Sequence, residues 1–370
     1  MNAPLAAGSV AISVSLARDA VCAVEVKSAR PPALARLFEG RAPSEAPRLA
    51  GQIFSLCGFA QSTASRLALA QAEGKSISRQ DRTFAAAGLL AERIFETLRS
   101  LVMQWPGKLP AAAQAAAGTH LREALKASRA IVSIAESGWE SPRALADARD
   151  ALRQAASALG VPATGAEPAK CSLLEAIALD LARDDVFPRR AVEALEAEDD
   201  ADVVDLLVKT EAYAQRPSLP GRVVETGAYS RFHDRLAGDT AKALLARFKA
   251  RLADMSVSLL ELDAITEGRA VALEALMRDG VASGNGYGAV ECARGRLYHA
   301  ARLDAEGRIA QYRILAPTEW NFHPAGPFVE TLLSSRIGAG DMARLRIAKL
   351  AALFDPCVAF DITVKEIAHA

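Results

Sequence analysis

Residues 291–322 read ECARGRLYHAARLDAEGRIAQYRILAPTEWNF, and here the chain changes from helical patterns to strand-like ones. Two strand-like runs, 296–304 and 309–315, flank the segment DAEGR. Asp and Gly favour tight turns, so this arrangement predicts a β-hairpin. The Gly-rich stretch just before it, RDGVASGNGYGAV at 278–290, predicts a loop.

A second hairpin is predicted near the start of the chain. Residues 9–28, SVAISVSLARDAVCAVEVKS, alternate apolar and polar side chains around a break near Arg18–Ala20. Residues 105–120, WPGKLPAAAQAAAGTH, are interpreted as a connector. Helical patterns occupy 45–73 (interrupted at Cys57–Gly58), 82–103, 121–137, 142–159, 172–184, 189–197, 201–214, parts of 238–278, and 340–353.

These patterns together predict an α+β fold that is predominantly helical. We expect a single domain over residues 1–370. Within it, a β-hairpin occupies 1–30 and a helical body occupies 31–280. Residues 281–370 then hold a β-hairpin and a C-terminal cysteine segment.

Composition excludes several classes of function. The chain has 44 basic and 44 acidic residues, so charge gives no reason to expect nucleic acid or an anionic membrane as a partner. No apolar run is long enough to span a bilayer, and no basic segment opens a signal peptide. The five scattered cysteines do not indicate a disulfide framework, which favours a reducing cytoplasm.

Two cysteines stand beside residues that interrupt regular backbone. In FDPCVAFD, 354–361, Asp355 suits an N-cap and Pro356 the first helical position. We therefore expect Cys357 in the first turn of a last helix, with its pKa lowered there. In LCGF, 56–59, the glycine after Cys57 permits close approach of another group. For each cysteine the alternative is a small buried core residue.

Other polar residues receive structural interpretations. Cys22 and Cys171 are expected in the core, in a strand and a helix, and Cys292 is also expected to be structural. His299 is predicted to be buried and hydrogen-bonded rather than a metal ligand. Arg231 is predicted to pair with an acidic group in the core.

Six segments in order carry a resemblance: LCG, ETGAYSR, ECARGRLYH, APTEWNF, GPFVETLL and DPC. From about Phe38 onward, this order resembles the large subunit of nickel–iron hydrogenases. The resemblance implies that Cys57 and Cys357 match metal-binding cysteines, each the first of a pair. It also implies that Arg294 and Thr318 match the donors to the cyanide ligands of iron. Pro317 would match the apolar wall beside them, and Asp355 keeps its place near the second cysteine.

The chain also departs from that family. The second cysteine of each pair is replaced, by Ala60 and by Phe360, and neither side chain can bind a metal. The arginine before the first pair is Ser55, and the histidines after each pair are Ala64 and Thr363. These changes argue against hydrogen turnover, against nickel, and against C-terminal processing.

The combination resembles hydrogenase accessory proteins of the HupK/HoxV type. This resemblance implies a cytoplasmic, non-catalytic scaffold that transiently holds the Fe(CN)2(CO) unit of the hydrogenase. The implied partners are a HypC-like chaperone, a HypD-like iron–sulfur protein and the hydrogenase large subunit. One alternative is a metal-free mimic of the large subunit that acts only through interactions. Another is an enzyme with a nucleophilic thiol, although no base is recognisable by spacing.

Overall fold

A computed structural model describes residues 8–28, 32–138, 141–236 and 241–367, so residues 1–7 and 29–30 of the predicted N-terminal hairpin region lie outside it. The helices are α1 (Ala46–Ile53), α2 (Gly58–Ala72), α3 (Arg79–Met103), α4 (Ala111–Ser137), α5 (Pro142–Leu159), α6 (Leu173–Asp184), α7 (Asp200–Lys209), α8 (Ala228–Phe232), α9 (Ala243–Thr266), α10 (Leu273–Leu276), α11 (Pro317–Asn321), α12 (Pro327–Leu333) and α13 (Gly340–Phe354). The strands are β1 (Ser9–Ala17), β2 (Ala20–Ser28), β3 (Glu193–Ala194), β4 (Val224–Glu225), β5 (Met277–Ala282), β6 (Asn285–Cys292), β7 (Gly295–Leu303), β8 (Ile309–Leu315) and β9 (Ala359–Glu366). The predicted class, mainly helical with small sheets, is confirmed.

Long helices form the body of the molecule. Helix α3 packs against α4 and α9, and α4 also packs against α5. The Ser78 side chain caps α3 by accepting a hydrogen bond from the Asp81 N–H (3.1 Å). This cap starts the helix three residues before the predicted range 82–103. One face of α3 buries Leu90, Ile94 and Leu98 completely, which explains the amphipathic pattern.

Strand β9 was not predicted. The N-terminal hairpin β1–β2 is confirmed, with Arg18 in a left-handed conformation at its turn (φ 61°). Strand β9 pairs in parallel with β1 and gives the order β2-β1-β9. The predicted helix beginning at Asp355 is therefore wrong. Asp355 ends α13 instead, in a left-handed conformation (φ 50°), and the chain then enters β9.

The second sheet is larger than the predicted hairpin. Strands β7 and β8 confirm the two predicted runs, and β5 and β6 extend them into the antiparallel order β5-β6-β7-β8. The prediction of a Gly-rich loop at 278–290 is wrong, because most of it is β5 and β6. Its glycines serve packing instead: a Cβ at Gly288 would lie 2.4 Å from the Ala64 O. Strand β6 can therefore lie directly on α2.

Two further predictions are wrong. Residues 189–196 form no helix, because the segment holds β3, which pairs in parallel with β4, and a 3-10 helix begins only at Ala197. Much of the predicted connector at 105–120 belongs to α4, which begins at Ala111; its alanines have the highest helix propensity of any residue. In the parts of the chain that the structure describes, no helix has both the length and the apolarity needed to cross a bilayer.

Candidate functional site

Cys57 lies where two helices meet. A short 3-10 turn, Ser55–Cys57, connects α1 to α2, and Cys57 precedes the first residue of α2. A Cβ at Gly58 would lie 2.8 Å from the Gly51 O, so a glycine is needed for α1 and α2 to approach this closely. The Cys57 side chain is buried, and its sulfur accepts a hydrogen bond from the Gln61 amide (3.5 Å).

Cys357 lies between α13 and β9, and Thr318 holds it. The Cys357 N–H donates to the Thr318 Oγ1 (3.2 Å), and the same hydroxyl oxygen lies 3.2 Å from the Cys357 Sγ. Thr318 is buried in the first turn of α11, directly after Pro317. Since no helix begins at Cys357, the physical basis for a helix-end effect on its thiol is absent.

The two cysteines, from opposite ends of the sequence, line one cavity of about 60 Å³. A volume of this size accommodates roughly four water-sized groups. Its remaining lining residues are Ile53, Phe54, Ser55, Leu56, Gln61 and Val358. A cleft of about 610 Å³ lies on the other side of the 3-10 turn, so Ser55 and Leu56 form a wall common to both spaces.

Arg294 and Asp355 lie together next to this cavity but do not line it. The Arg294 Nε is 3.5 Å from the Asp355 Oδ2, and the Arg294 Nη2 donates to Glu96 (3.3 Å). Both residues instead line a separate cavity of about 20 Å³, large enough for a single water. Pro317 is buried at the start of α11 but is not part of the thiol cavity lining.

Several buried groups fix the Asp355 carboxylate. The Ser100 hydroxyl donates to its Oδ1 (2.8 Å), and the Arg251 Nη2 donates to its Oδ2 (3.2 Å). Burial alone would lower the pKa of Arg294, but the Asp355 and Glu96 carboxylates outweigh that effect and raise it. Arg294 is thus a permanent cation, and among the described residues no acceptor is aligned for a hydrogen bond from its Nε–H.

Burial is the main reason that the pKa of Cys57 is raised well above its usual range. The nearby thiols of Cys292 and Cys357 raise it further, as does Glu92, while Arg294 acts in the opposite direction. Cys57 is therefore a neutral thiol at neutral pH. A metal that binds it as a thiolate must displace a proton.

Glu92 is a site residue that the sequence analysis did not identify. Its carboxylate accepts hydrogen bonds from the N–H groups of Phe59 (2.7 Å) and Ala60 (2.9 Å), at the first turn of α2. Burial raises the pKa of Glu92 to about 7 although these two hydrogen bonds lower it. Glu92 belongs to the middle of α3, and no local sequence signal links it to Cys57.

Gln61 is the second residue that was missed, and it connects Cys57 to His299. The Gln61 Oε1 lies 2.7 Å from the His299 Nε2, and the His299 Nδ1 lies 2.7 Å from the Tyr312 OH. The prediction of a buried, hydrogen-bonded His299 is confirmed, and burial lowers its pKa to about 3. The i, i+4 spacing of Cys57 and Gln61 on a helix could have indicated this contact.

The other cysteine predictions are partly wrong. Cys22 is exposed in β2, and Cys171 is exposed with a left-handed backbone (φ 58°), so neither belongs to the core. Cys292 is buried at the end of β6, in agreement with a structural role. The predicted pairing of Arg231 is confirmed, because its guanidinium bonds both carboxylate oxygens of Asp254 (3.1 and 2.9 Å).

The donor set is small. Among the described residues, no three His, Cys, Asp or Glu side chains are grouped so as to hold a metal ion. Ala60 is fully buried in α2, and Phe360 is partly buried on β9. These residues lie three positions after Cys57 and Cys357, and neither side chain can bind a metal. The protein therefore offers the soft ligands Cys57 and Cys357, with the Thr318 hydroxyl beside the second.

Comparisons with known proteins agree on one family. Residues 213–362 match the family model described as nickel-dependent hydrogenase. The chain is 52% identical to the hydrogenase expression/formation protein HupK of Rhizobium leguminosarum bv. viciae, over 99% of both chains. It is 33% identical to HupK of Bradyrhizobium diazoefficiens, over 97% of each chain. The HoxV protein of Cupriavidus necator is 28% identical and matches 91% of this chain and 92% of its own.

The fold is similar to that of solved hydrogenases. The Ni-Fe-Se hydrogenase from D. vulgaris Hildenborough in the reduced state superposes with a TM-score of 0.66. The match covers 92% of this chain and 94% of that chain at 15% identity. A reduced, active form of the Ni-Fe-Se hydrogenase from Desulfomicrobium baculatum gives a TM-score of 0.64 at 13% identity, with 93% and 95% coverage. At these identities the similarity concerns the fold alone.

Proposed function

Because the chain belongs to the HupK family of hydrogenase expression/formation proteins, we propose that it is an accessory scaffold in assembly of the nickel–iron hydrogenase active site. In this role the protein holds the Fe(CN)2(CO) unit transiently and then passes it to the hydrogenase large subunit. The role is non-catalytic, and the iron unit is cargo rather than a resident cofactor.

The observation that carries this proposal is the cavity shared by Cys57 and Cys357. Thiolates are soft ligands suited to iron in such a unit, and two of them from distant parts of the chain face one space. Thr318 touches the second sulfur and is a hydroxyl donor of the kind that a cyanide nitrogen would accept. A small iron unit with vacant positions for soft ligands, and with cyanides that accept hydrogen bonds, is the guest that this donor set favours.

Transient binding follows from what the site lacks. Ala60 and Phe360 supply no further ligand, so two thiolates would hold the iron and none would remain to bridge a nickel ion. Fewer ligands give weaker binding and easier release. We propose a HypC-like chaperone and a HypD-like iron–sulfur protein as the partners that deliver the cargo in the cytoplasm, and the large subunit as its recipient.

Arg294 supports binding of an iron unit that becomes anionic once both thiolates are bound. It is a buried cation near both thiols, and its Nε–H has no aligned acceptor in the part of the chain that the structure describes. Arg294 does not line the thiol cavity, so it would act on a bound anion through its charge or after a small rearrangement of the Leu56 carbonyl that its Nη1 contacts (3.5 Å). We assign Pro317 and Asp355 to positioning Thr318 and Arg294 respectively.

The alternative is a metal-free mimic of the large subunit that acts through interactions alone. Two observations favour it. The Cys57 thiol is neutral at neutral pH, and Arg294 already contacts Glu96, Asp355 and Leu56. In this case the thiols would have no part in maturation.

Cysteine variants separate the two proposals. Protein would be produced together with the hydrogenase maturation proteins, purified without oxygen and analysed for iron. If the protein is a scaffold, Cys57→Ala and Cys357→Ala should each contain no bound iron and should fail to support maturation of the hydrogenase. The exposed cysteines provide matched controls. Cys22→Ser and Cys171→Ser should still bind iron and support hydrogenase maturation. Normal maturation by the Cys57 and Cys357 variants would favour the mimic.

A further inference from the structure

Strand β9 is an edge strand that lacks two of the usual protections against pairing, a proline and a bulge. It is the last strand in the order β2-β1-β9, and among the described residues no backbone hydrogen bond reaches its outer side. Its eight residues contain no proline, and its register with β1 is continuous, without a bulge. Such an edge is a ready template for another strand.

The hydrogen bond from the Ile367 N–H to the Leu16 O (2.9 Å) fixes which groups face outward. Backbone groups in a strand alternate between its two neighbours, so the odd-numbered residues of β9 bond to β1. The N–H and C=O groups of Phe360, Ile362, Val364 and Glu366 therefore point to the free edge. The side chains of Asp361, Thr363 and Lys365 are exposed on the solvent face.

We propose that β9 pairs antiparallel with β9 of a second copy of this chain, about a two-fold axis at Thr363. In this register Ile362 and the partner's Val364 exchange backbone hydrogen bonds across the edge. Asp361 then faces the partner's Lys365, and Thr363 faces the partner's Thr363. These are non-hydrogen-bonded positions, where opposite side chains approach most closely.

Charge complementarity selects this register. If the pairing shifted by one residue, each residue whose backbone groups point to the free edge would lie opposite a residue whose groups bond to β1. The two strands could then form no backbone hydrogen bonds. A shift by two residues in either direction places Thr363 opposite Asp361 or opposite Lys365 and forms no ion pair. Only the register centred on Thr363 forms two Asp–Lys pairs by symmetry. Within its own chain, Lys365 also interacts electrostatically with Glu25 of β2 on the same exposed face of the sheet, so the pairs with Asp361 of the second copy would extend this set of charges.

The proposed interface is small. Two eight-residue strands bury less surface than the roughly 1,200 Å² of a stable interface, so the dimer should be weak. We expect a dissociation constant on the order of tens of micromolar. The two Asp361–Lys365 pairs would contribute to both the register and the affinity of this dimer.

Charge reversal tests the register in sedimentation experiments on the full chain. Asp361→Lys or Lys365→Asp alone should weaken the dimer at least about tenfold, because two attractive pairs become repulsive. The double variant should recover to within about threefold, since it exchanges the charges and restores both pairs. Glu306→Lys, in the exposed turn before β8, makes the same change in net charge as Asp361→Lys and should have no effect.

Disulfide trapping tests the symmetry axis independently. In a background that carries Cys22→Ser and Cys171→Ser, Thr363→Cys should form a disulfide-linked dimer with oxidised glutathione. Ala359→Cys, on the same exposed face, should not, because the two copies of residue 359 would lie about 26 Å apart. A monomer at all concentrations, a dimer insensitive to charge reversal, or equal trapping of both variants would overturn the proposal.

Discussion

Thr318 joins the two parts of the thiol site, because its hydroxyl contacts both the sulfur and the N–H of Cys357. Thr318→Val keeps the shape of the side chain but leaves that N–H without its acceptor. We expect a loss of about 1–2 kcal/mol in the free energy of unfolding and a lower iron content. Urea denaturation and metal analysis measure these effects. Thr318→Ser restores the hydroxyl and should recover the iron; failure to do so would contradict the role assigned to the hydroxyl.

Glu92 should give the protein a distinctive pH dependence. Its pKa is raised in the folded state from 4.5 to about 7, so its favourable contribution is complete below pH 4.5 and is lost as pH rises through 7. Between pH 5 and 8, the free energy of unfolding should therefore fall relative to that of Glu92→Gln, by up to about 3 kcal/mol. Urea denaturation at several pH values measures this difference. Glu123→Gln, on an exposed carboxylate, is the control, and a pH-independent difference for Glu92→Gln would refute the assignment.

Single residues differed in how well they could be predicted. Arg231 and His299 were predicted correctly, because a buried charge or imidazole in an apolar context needs partners. Cysteine is usually buried, which predicts core positions for Cys22 and Cys171, but both are exposed because the strand face and the turn they occupy depend on tertiary contacts. Glu92 could not be found, since only the packing of α3 on α2 brings it to Phe59.

The contact between α2 and β6 determines the stability of the glycine-rich sheet. Gly288→Ala would place a methyl group 2.4 Å from the Ala64 O, so α2 and β6 must separate. We expect a loss of about 2–4 kcal/mol in the free energy of unfolding. Gly118→Ala, in α4, meets only the end of the flexible Arg122 side chain and should be neutral or stabilising by up to about 1 kcal/mol. Thermal unfolding of both variants tests the contact, and equal effects would argue against it.

Elements with a strong local signal were predicted well, and those that depend on distant partners were not. The hairpin β1–β2 and the amphipathic helix α3 follow from periodicity alone. Strand β9 follows an Asp-Pro pair that favours a helix start locally, but its partner β1 lies at the other end of the chain. The glycines of β5 and β6 resemble a loop until α2 is placed against them.

For the whole molecule, the order of motifs carried more information than any single motif. No spacing rule connects Cys57 to Cys357, and their meeting was implied only by the resemblance to hydrogenase large subunits. In the structure both thiols line one cavity, while Arg294 and Asp355 lie beside it and line another. This division could not be derived from sequence, because it depends on the Leu56 and Glu96 contacts that hold the Arg294 side chain.

The central claim is that this protein carries an iron unit with cyanide and carbonyl ligands between the two thiols. Infrared spectroscopy tests it most directly, on protein produced with the maturation machinery and purified without oxygen. The scaffold proposal predicts bands in the metal-cyanide and metal-carbonyl regions that disappear in Cys57→Ala and Cys357→Ala and persist in Cys22→Ser. A protein that contains no iron and shows no such bands under these conditions would contradict it.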